Sequence, residues 1–316
     1  MRRSRRDLVP VPGHAPSLWA ATDFSDQTSW AVDLTGDEQR AIAHYARHPQ
    51  DGDLRLTLSH SASTWLDMLV EGPGFVLVRG FPVHTLALEH IEPAYLALGR
   101  LIGSLEGQDR QGSLTTHIRD ERLPAGPGVR RYQTSQNQDF HSDASDVVGL
   151  LCLRPAKSGG LSRIISAHAV YNEMLRRDRD LTSLLLEPFP WSRHTERRPG
   201  ESPYFELAPI AFVHGMPRIS IIPWFIRQSQ AHPAAPRLNP DQLAALDLME
   251  EVMALPDLQV VMDFQPGDLQ LLNNTTVLHA RDAYEDHSDP ALRRHLVRLW
   301  LTVASPVAER VLSGQA

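Results

Sequence analysis

The chain is almost without cysteine and lysine. Cys152 is the only cysteine in 316 residues and Lys157 the only lysine. A single cysteine excludes any disulfide within the chain and makes a reducing cytoplasm the expected compartment. Its setting, the apolar run 147–153, favours a buried and inert thiol over a nucleophile. The scarcity of lysine, beside abundant alanine and 24 prolines, reads as a bias of the source genome. An arginine at any one position is therefore not by itself evidence that a planar guanidinium was required there. Positive charge is not in excess either: the net charge of −7 argues against nucleic acid or a membrane surface as partner. No apolar run approaches the length of a membrane span. The basic run Arg2-Arg3-Ser4-Arg5-Arg6 leads into Val9-Pro10-Val11-Pro12-Gly13-His14, which interrupts any apolar export core. Residues 1–20 are accordingly expected to form a disordered basic tail.

What is present belongs to a globular protein. Hydrophobic residues make up 42% and charged residues 22%, enough for a substantial core. Thr35-x-x-Glu38 has the form of a capping box and opens a helix predicted to reach about 48. A short helix is expected over 63–71 and a longer one over 86–102, with Pro93 in it. Between them Gly72-Pro73-Gly74 breaks the chain before a β-rich run at 75–81. The segment 103–131 is polar and aperiodic, which points to disorder or a closing lid. Asn239-Pro240-Asp241-Gln242 starts another helix, ending near 255, and Ser166 caps one over 167–177. Strands are expected at 258–264, 269–272, 275–279 and 295–303. No repeat, low-complexity block or linker divides the chain. It reads as a single domain over 21–316, α+β and mainly β, with helices decorating a β core.

The chemistry centres on Asn137-Gln138-Asp139-Phe140-His141-Ser142-Asp143. On an extended backbone His141 and Asp143 share a face, with Phe140 and Ser142 on the other. An imidazole and a carboxylate so placed are two thirds of a 2-His-1-carboxylate metal triad. His279, at the end of a β-branched run in Thr275-Thr276-Val277-Leu278-His279, is the candidate for the third ligand. Late strands of a double-sheet jelly roll return beside early ones, so its distance in sequence is no obstacle. In Arg293-Arg294-His295-Leu296-Val297-Arg298, a strand would set Arg294, Leu296 and Arg298 on one face. Two arginines entering an apolar strand need anions beside them. A dicarboxylate co-substrate is one source, since guanidinium matches carboxylate with two parallel hydrogen bonds; surface acids are the other.

The ordered set His141-x-Asp143, Ser158-Gly159-Gly160-x-Ser162, Leu278-His279-Ala280-Arg281 and Arg294-x-x-x-Arg298 resembles the TauD/TfdA family of Fe(II)- and 2-oxoglutarate-dependent dioxygenases, and its clavaminate-synthase-like relatives. The likeness runs over about 72–303. It implies a double-stranded β-helix (jelly roll) core with flanking helices. It also implies Fe(II) as metal, 2-oxoglutarate as co-substrate, O₂ as oxidant and a small molecule as substrate. By position, His141, Asp143 and His279 match the iron ligands and Arg294 the arginine holding the far carboxylate of 2-oxoglutarate. Ser162 matches the residue that assists Arg294. Arg298 matches an arginine that faces an anionic group of the primary substrate, the alternative being a protein carboxylate such as Glu285 or Asp286. Asn137 is expected on the His141 face, where it touches substrate or serves as a structural hydrogen-bond partner.

Three rival readings share these residues. A halogenase would need the carboxylate position vacated for a halide, and Asp143 is present. A jelly-roll metal-dependent hydrolase or isomerase would use the same ligands as a Lewis-acid site but leaves Arg294 and Arg298 without a task. A non-catalytic binding protein of the same fold would bind no metal.

Overall fold

The computed structural model describes residues 8–26, 30–124, 126, 128–194, 197 and 200–303. Local signals set most of the helices. The Thr35 hydroxyl accepts from the Glu38 amide while the Glu38 carboxylate accepts from the Thr35 amide, starting the helix Gly36–Arg47. Asn239 and Gln242 do the same for Pro240–Met253, and Ser166 caps Ala167–Arg177. The expected helix at 63–71 starts earlier and runs Arg55–Val70. Its apolar stripe of Leu58, Ala62, Trp65 and Leu69 is buried at helical spacing, which holds the extra turns down. Pro93 lies within Leu88–Ile102.

Two sheets form the centre. The larger has the strand order Ala31–Asp33, Phe75–Arg79, Leu269–Asn273, Val147–Arg154, His295–Thr302, Ser104–Glu106, with Thr115–Ile118 also paired to His295–Thr302. The smaller has the order Gln259–Met262, Ser162–Ser166, Val277–Arg281, Gln138–His141. Alternation along the strands divides the side chains between layers. Phe75, Leu77, Val148, Cys152 and Leu296 of the larger sheet meet Ile164, Val260, Met262 and Val277 of the smaller in one buried cluster. Val76, Val78, Leu151, Leu271 and Leu299 face the other way, against Ile42, Leu58, Leu69 and Leu98 of the first three helices. The outer side of the smaller sheet, with Ile165 and Leu278, is covered by Val170, Met174, Leu246 and Met249. Cys152 is fully buried between the sheets, and burial pushes its thiol up to about 12, so it is inert as expected.

Two expectations need correction. Residues 8–20 are not a disordered tail. Leu8 and Val11 are buried in the outer cluster of the smaller sheet, the Val11 amide donates to Asn172 Oδ1 at 2.7 Å, and Trp19 Nε1 donates to the Pro73 carbonyl at 2.8 Å. The apolar residues scattered among the prolines are what docks this stretch; the basic run itself lies outside the described residues. The segment 103–131 is not simply a lid, because Ser104–Glu106 and Thr115–Ile118 extend the edge of the larger sheet. The stretch 178–238, which carries no clear periodicity, supplies two hairpins, Phe189–Ser192 with Tyr204–Leu207 and Ile210–Val213 with Met216–Ile219, and the short helix Pro223–Ser229. It covers the end of the smaller sheet where the histidines lie.

Candidate metal centre

Antiparallel pairing of Gln138–His141 with Val277–Arg281 sets His141 directly opposite His279. Their ring centroids are 4.2 Å apart. The strand ends at His141, and the turn carrying Asp143 is pinned from two sides. Ser142 exchanges two hydrogen bonds of 3.0 Å with Ile221, and the Asp143 amide donates to Asn274 Oδ1 at 3.2 Å. Asp143 Oδ1 thereby lies 3.9 Å from His141 Nε2, and Oδ2 lies 4.0 Å from His279 Nε2. One donor atom from each of the three residues falls within 4.8 Å of the others.

The electrostatics prepare these groups to bind a cation. Burial lowers both imidazoles, His279 to about 3 with the help of neighbouring His141, so both are neutral at pH 7. Burial alone would raise Asp143, but Arg298 and then the two histidines outweigh it and take the carboxyl down to about 2. His141 Nδ1 donates to the Asp139 carbonyl at 2.9 Å, which leaves the Nε2 lone pair facing inward, where the Gln138 amide meets it at 3.0 Å. Asp143 accepts from Arg298 NH1 at 3.2 and 3.3 Å and from Trp300 Nε1 at 3.0 Å. A carboxylate offers about four acceptor positions, so these bonds do not exhaust it.

Arg294 and Ser162 line the same cavity as the triad, together with Gln138, Arg281, Leu296 and Arg298. Arg294 is 4% exposed and its NH1 has no hydrogen-bond partner. Ser162 Oγ pairs with the Gln270 side chain. Arg298 finds its carboxylate in Asp143, rather than in Glu285 or Asp286, and its Nε donates to Gln108 Oε1 at 2.7 Å. Asn137 does not line this cavity. It is exposed and donates to Asp139 Oδ1 at 2.6 Å, while its neighbour Gln138 takes the inward place.

The family model described as taurine catabolism dioxygenase TauD, TfdA family, matches residues 38–300. The chain belongs to the TauD/TfdA family. This TauD/TfdA chain is 29% identical over 317 residues to FR-33289 synthase of Streptomyces rubellomurinus (strain ATCC 31215), covering 94% of this chain and 92% of the relative. Among solved structures it is similar to asparagine oxygenase in complex with Fe(II), 2S,3S-3-hydroxyasparagine and succinate. The TM-score there is 0.64 at 17% identity, covering 86% of this chain and 94% of that one. It is also similar to the non-heme iron oxygenase OrfP in complex with Fe and alpha-ketoglutaric acid, with a TM-score of 0.60 at 16% identity and coverage of 86% and 94%. At such identities the structural likeness speaks to the fold. The TauD/TfdA enzyme is a dioxygenase dependent on Fe(II) and 2-oxoglutarate.

Two neutral imidazole nitrogens and one ionised carboxylate on one side of a buried cavity form the donor set that suits a non-haem Fe(II) centre. Three residues that shape it were not singled out from the sequence. Gln108 lies in the polar segment beyond the helices, Asn274 reads as a turn residue, and Trp300 reads as core; none carries a local motif.

A second histidine pair lies next to Arg294. Arg154 NH2 donates to His295 Nδ1 at 3.3 Å, so His295 carries its proton on Nε2 and donates it to His117 Nδ1 at 2.8 Å. Burial, then His117 and Arg154, hold His295 down to about 3. Unfolded, the same imidazole titrates near 6.5. Between these values the unfolded chain binds the extra proton and the folded chain does not, so stability is full above about 6.5 and falls as the pH drops toward 3. The slope from this one residue approaches about 1.4 kcal/mol per pH unit. Urea melts of the metal-free protein at several pH values should show His295→Asn flattening that slope. An unchanged slope would mean that His295 charges freely in the folded chain.

Proposed function

We propose that this dioxygenase hydroxylates a small carboxylate-bearing molecule, an amino acid or a natural-product intermediate, or carries out a related desaturation or cyclisation. The observation that carries the reading is the presence of two arginines, the buried Arg294 and the partly exposed Arg298, in the cavity that holds the histidine–carboxylate triad. One serves the co-substrate and the other the substrate. His141, Asp143 and His279 would hold the iron. Bound there, Fe(II) supplies activation of O₂ coupled to oxidative decarboxylation of 2-oxoglutarate to succinate. The two packed, mainly antiparallel sheets are read as the double-stranded β-helix of the family, and the lone buried cysteine supports a reducing, cytoplasmic setting.

The protein's own residues do the positioning. Arg294 offers an unpartnered guanidinium nitrogen to the far carboxylate of 2-oxoglutarate, and Ser162, on the facing strand, supports it. Gln138 and the Asp139 carbonyl hold the His141 ring in one tautomer. Trp300 and Arg298 fix the Asp143 carboxylate from the side. A carboxylate engaged with a dication has less charge to give Arg298, which is then free to meet a substrate anion. Trp224 packs edge-on against His141, with ring centroids 5.3 Å apart, and helps hold the imidazole in place. The reading is supported by a structural relative, asparagine oxygenase, seen with a hydroxylated amino acid and succinate.

The test is a panel of amino acids and their methyl esters incubated with the protein, Fe(II), 2-oxoglutarate and O₂, following succinate. An accepted acid is expected to release succinate at least about tenfold faster than its ester, the worth of one charge-assisted contact. Equal rates for acid and ester would remove Arg298 from substrate recognition.

A further inference from the structure

The cavity holds a third arginine that the assignment above leaves idle. Arg281 stands two residues beyond His279 on the same strand, and side chains two apart lean to the same face. It is 6% exposed and lies opposite Ser162 across the strand pair Val277–Arg281 and Ser162–Ser166. Its NH2 donates to the Gln136 carbonyl, but Nε and NH1 have no hydrogen-bond partner. The Tyr284 ring is shared between two cations, with Arg281 Cζ at 4.9 Å and Arg294 Cζ at 5.0 Å from its centroid. The Tyr284 hydroxyl is likewise buried and without a partner, as is NH1 of Arg294.

One end of the cavity thus gathers two guanidiniums and Ser162, with the buried Tyr284 ring packed against both guanidiniums and several donors unfilled. Stacking on one aromatic ring compensates only a small part of what it costs to bury two like charges side by side. The two guanidiniums share one ring, with Nε and NH1 of Arg281 and NH1 of Arg294 unpartnered, so an anion between them would relieve their repulsion. A carboxylate has two oxygens and about four acceptor positions. Arg294 can engage two of them and leave two for a further donor set. Asp120 and Asp286, which act on Tyr284 and its arginines, offset the excess positive charge.

We propose that Arg281 and the Tyr284 hydroxyl form, beside Arg294, a second grip on the far carboxylate of 2-oxoglutarate. This rests on the placement of that carboxylate at Arg294. Arg281 is a binding residue for the co-substrate, and its bond to the Gln136 carbonyl couples the grip to the loop that leads into the His141 strand.

The test is direct binding, without turnover. Mn(II)-loaded protein is dialysed to equilibrium against 2-oxoglutarate and against 2-oxopentanoate, which has the same chain length but lacks the far carboxylate. Arg281→Met is expected to cut the preference for 2-oxoglutarate by about tenfold or more, the effect of a lost charge-assisted bond, with 2-oxopentanoate binding retained. Arg281→Lys should restore part of the preference, and Tyr284→Phe should lower it by a smaller factor of about 3. An unchanged preference in Arg281→Met, or equal weakening toward both acids, overturns the proposal and leaves Arg281 as a tie to Gln136. If Arg281→Met does not fold, Tyr284→Phe keeps the ring and decides by the same ratio. Arg294→Met run in parallel separates the two readings. A preserved preference there removes the Arg294 anchor itself, whereas a loss there without one in Arg281→Met removes the second grip alone.

Discussion

Replacing Asp143 with alanine is expected to abolish turnover and most of the metal affinity. The residue has two tasks in the structure, and the substitution removes both. It takes one of three donors from a site whose other two are neutral imidazoles, so the only negative charge facing the cation is lost. It also leaves Arg298, 12% exposed, without the carboxylate it now contacts at 3.2 Å. Removing one member of a buried charge pair costs roughly 3–5 kcal/mol, because the other charge remains desolvated. Asp143→Ala should therefore melt well below the parent in the metal-free form, and Asp143→Ala with Arg298→Met should recover much of that loss. Neither variant should bind Fe(II) tightly in an anaerobic titration. An Asp143→Ala protein of parental stability would show that the Arg298 contact contributes little, and one that still takes up iron tightly would remove Asp143 from the metal site.

The second large effect is expected at Arg294. Its guanidinium is buried, burial lowers its pKa, and NH1 has no partner in the protein. A co-substrate carboxylate supplies the missing acceptor, and the loss of one partner of such a pair is again about 3–5 kcal/mol. Arg294→Ala should raise the apparent constant for 2-oxoglutarate by two to three orders of magnitude, roughly what that energy converts to. Iron binding should stay nearly intact, because Arg294 makes no bond to His141, Asp143 or His279 among the described residues. Steady-state kinetics with varied 2-oxoglutarate, beside Fe(II) titration, separates the two. If Arg298→Ala raises the constant and Arg294→Ala does not, the roles of the two arginines are exchanged.

The pattern of legibility follows the range of the interactions. Helices opened by Thr35, Ser166 and Asn239 were readable because a cap is formed within three residues. His141, Asp143 and His279 were readable as a set because an ordered motif carries them, and the fold brings their donor atoms together. Their register, His141 opposite His279, is a property of sheet pairing that no local pattern encodes. The face of Asn137 was misplaced because the pairing register shifts between His141 and Gln138, opposite His279 and Arg281, so that strict alternation breaks and Gln138 holds the inward position. Leu8 and Val11 looked like parts of a tail because isolated apolar residues among prolines have no periodicity; only the distant Asn172 and the outer cluster give them a place. Gln108 reaches Arg298 from the loop just after the edge strand Ser104–Glu106, whose pairing was not apparent in a polar stretch. Arg298 itself was expected to face a substrate anion or, alternatively, an acid such as Glu285 or Asp286, and the acid it contacts is the metal-ligand candidate Asp143.

The central claim is that one Fe(II) and one 2-oxoglutarate meet in the cavity of His141, Asp143 and His279. The visible absorption that arises when a 2-oxo acid chelates Fe(II), followed anaerobically as iron is added to protein and 2-oxoglutarate, tests it most directly. The account predicts a band that saturates at one iron per chain, is absent from His279→Ala and Asp143→Ala, and in Arg294→Ala appears only at much higher 2-oxoglutarate. A band of full intensity in His279→Ala or Asp143→Ala, or none in the parent protein, would contradict it.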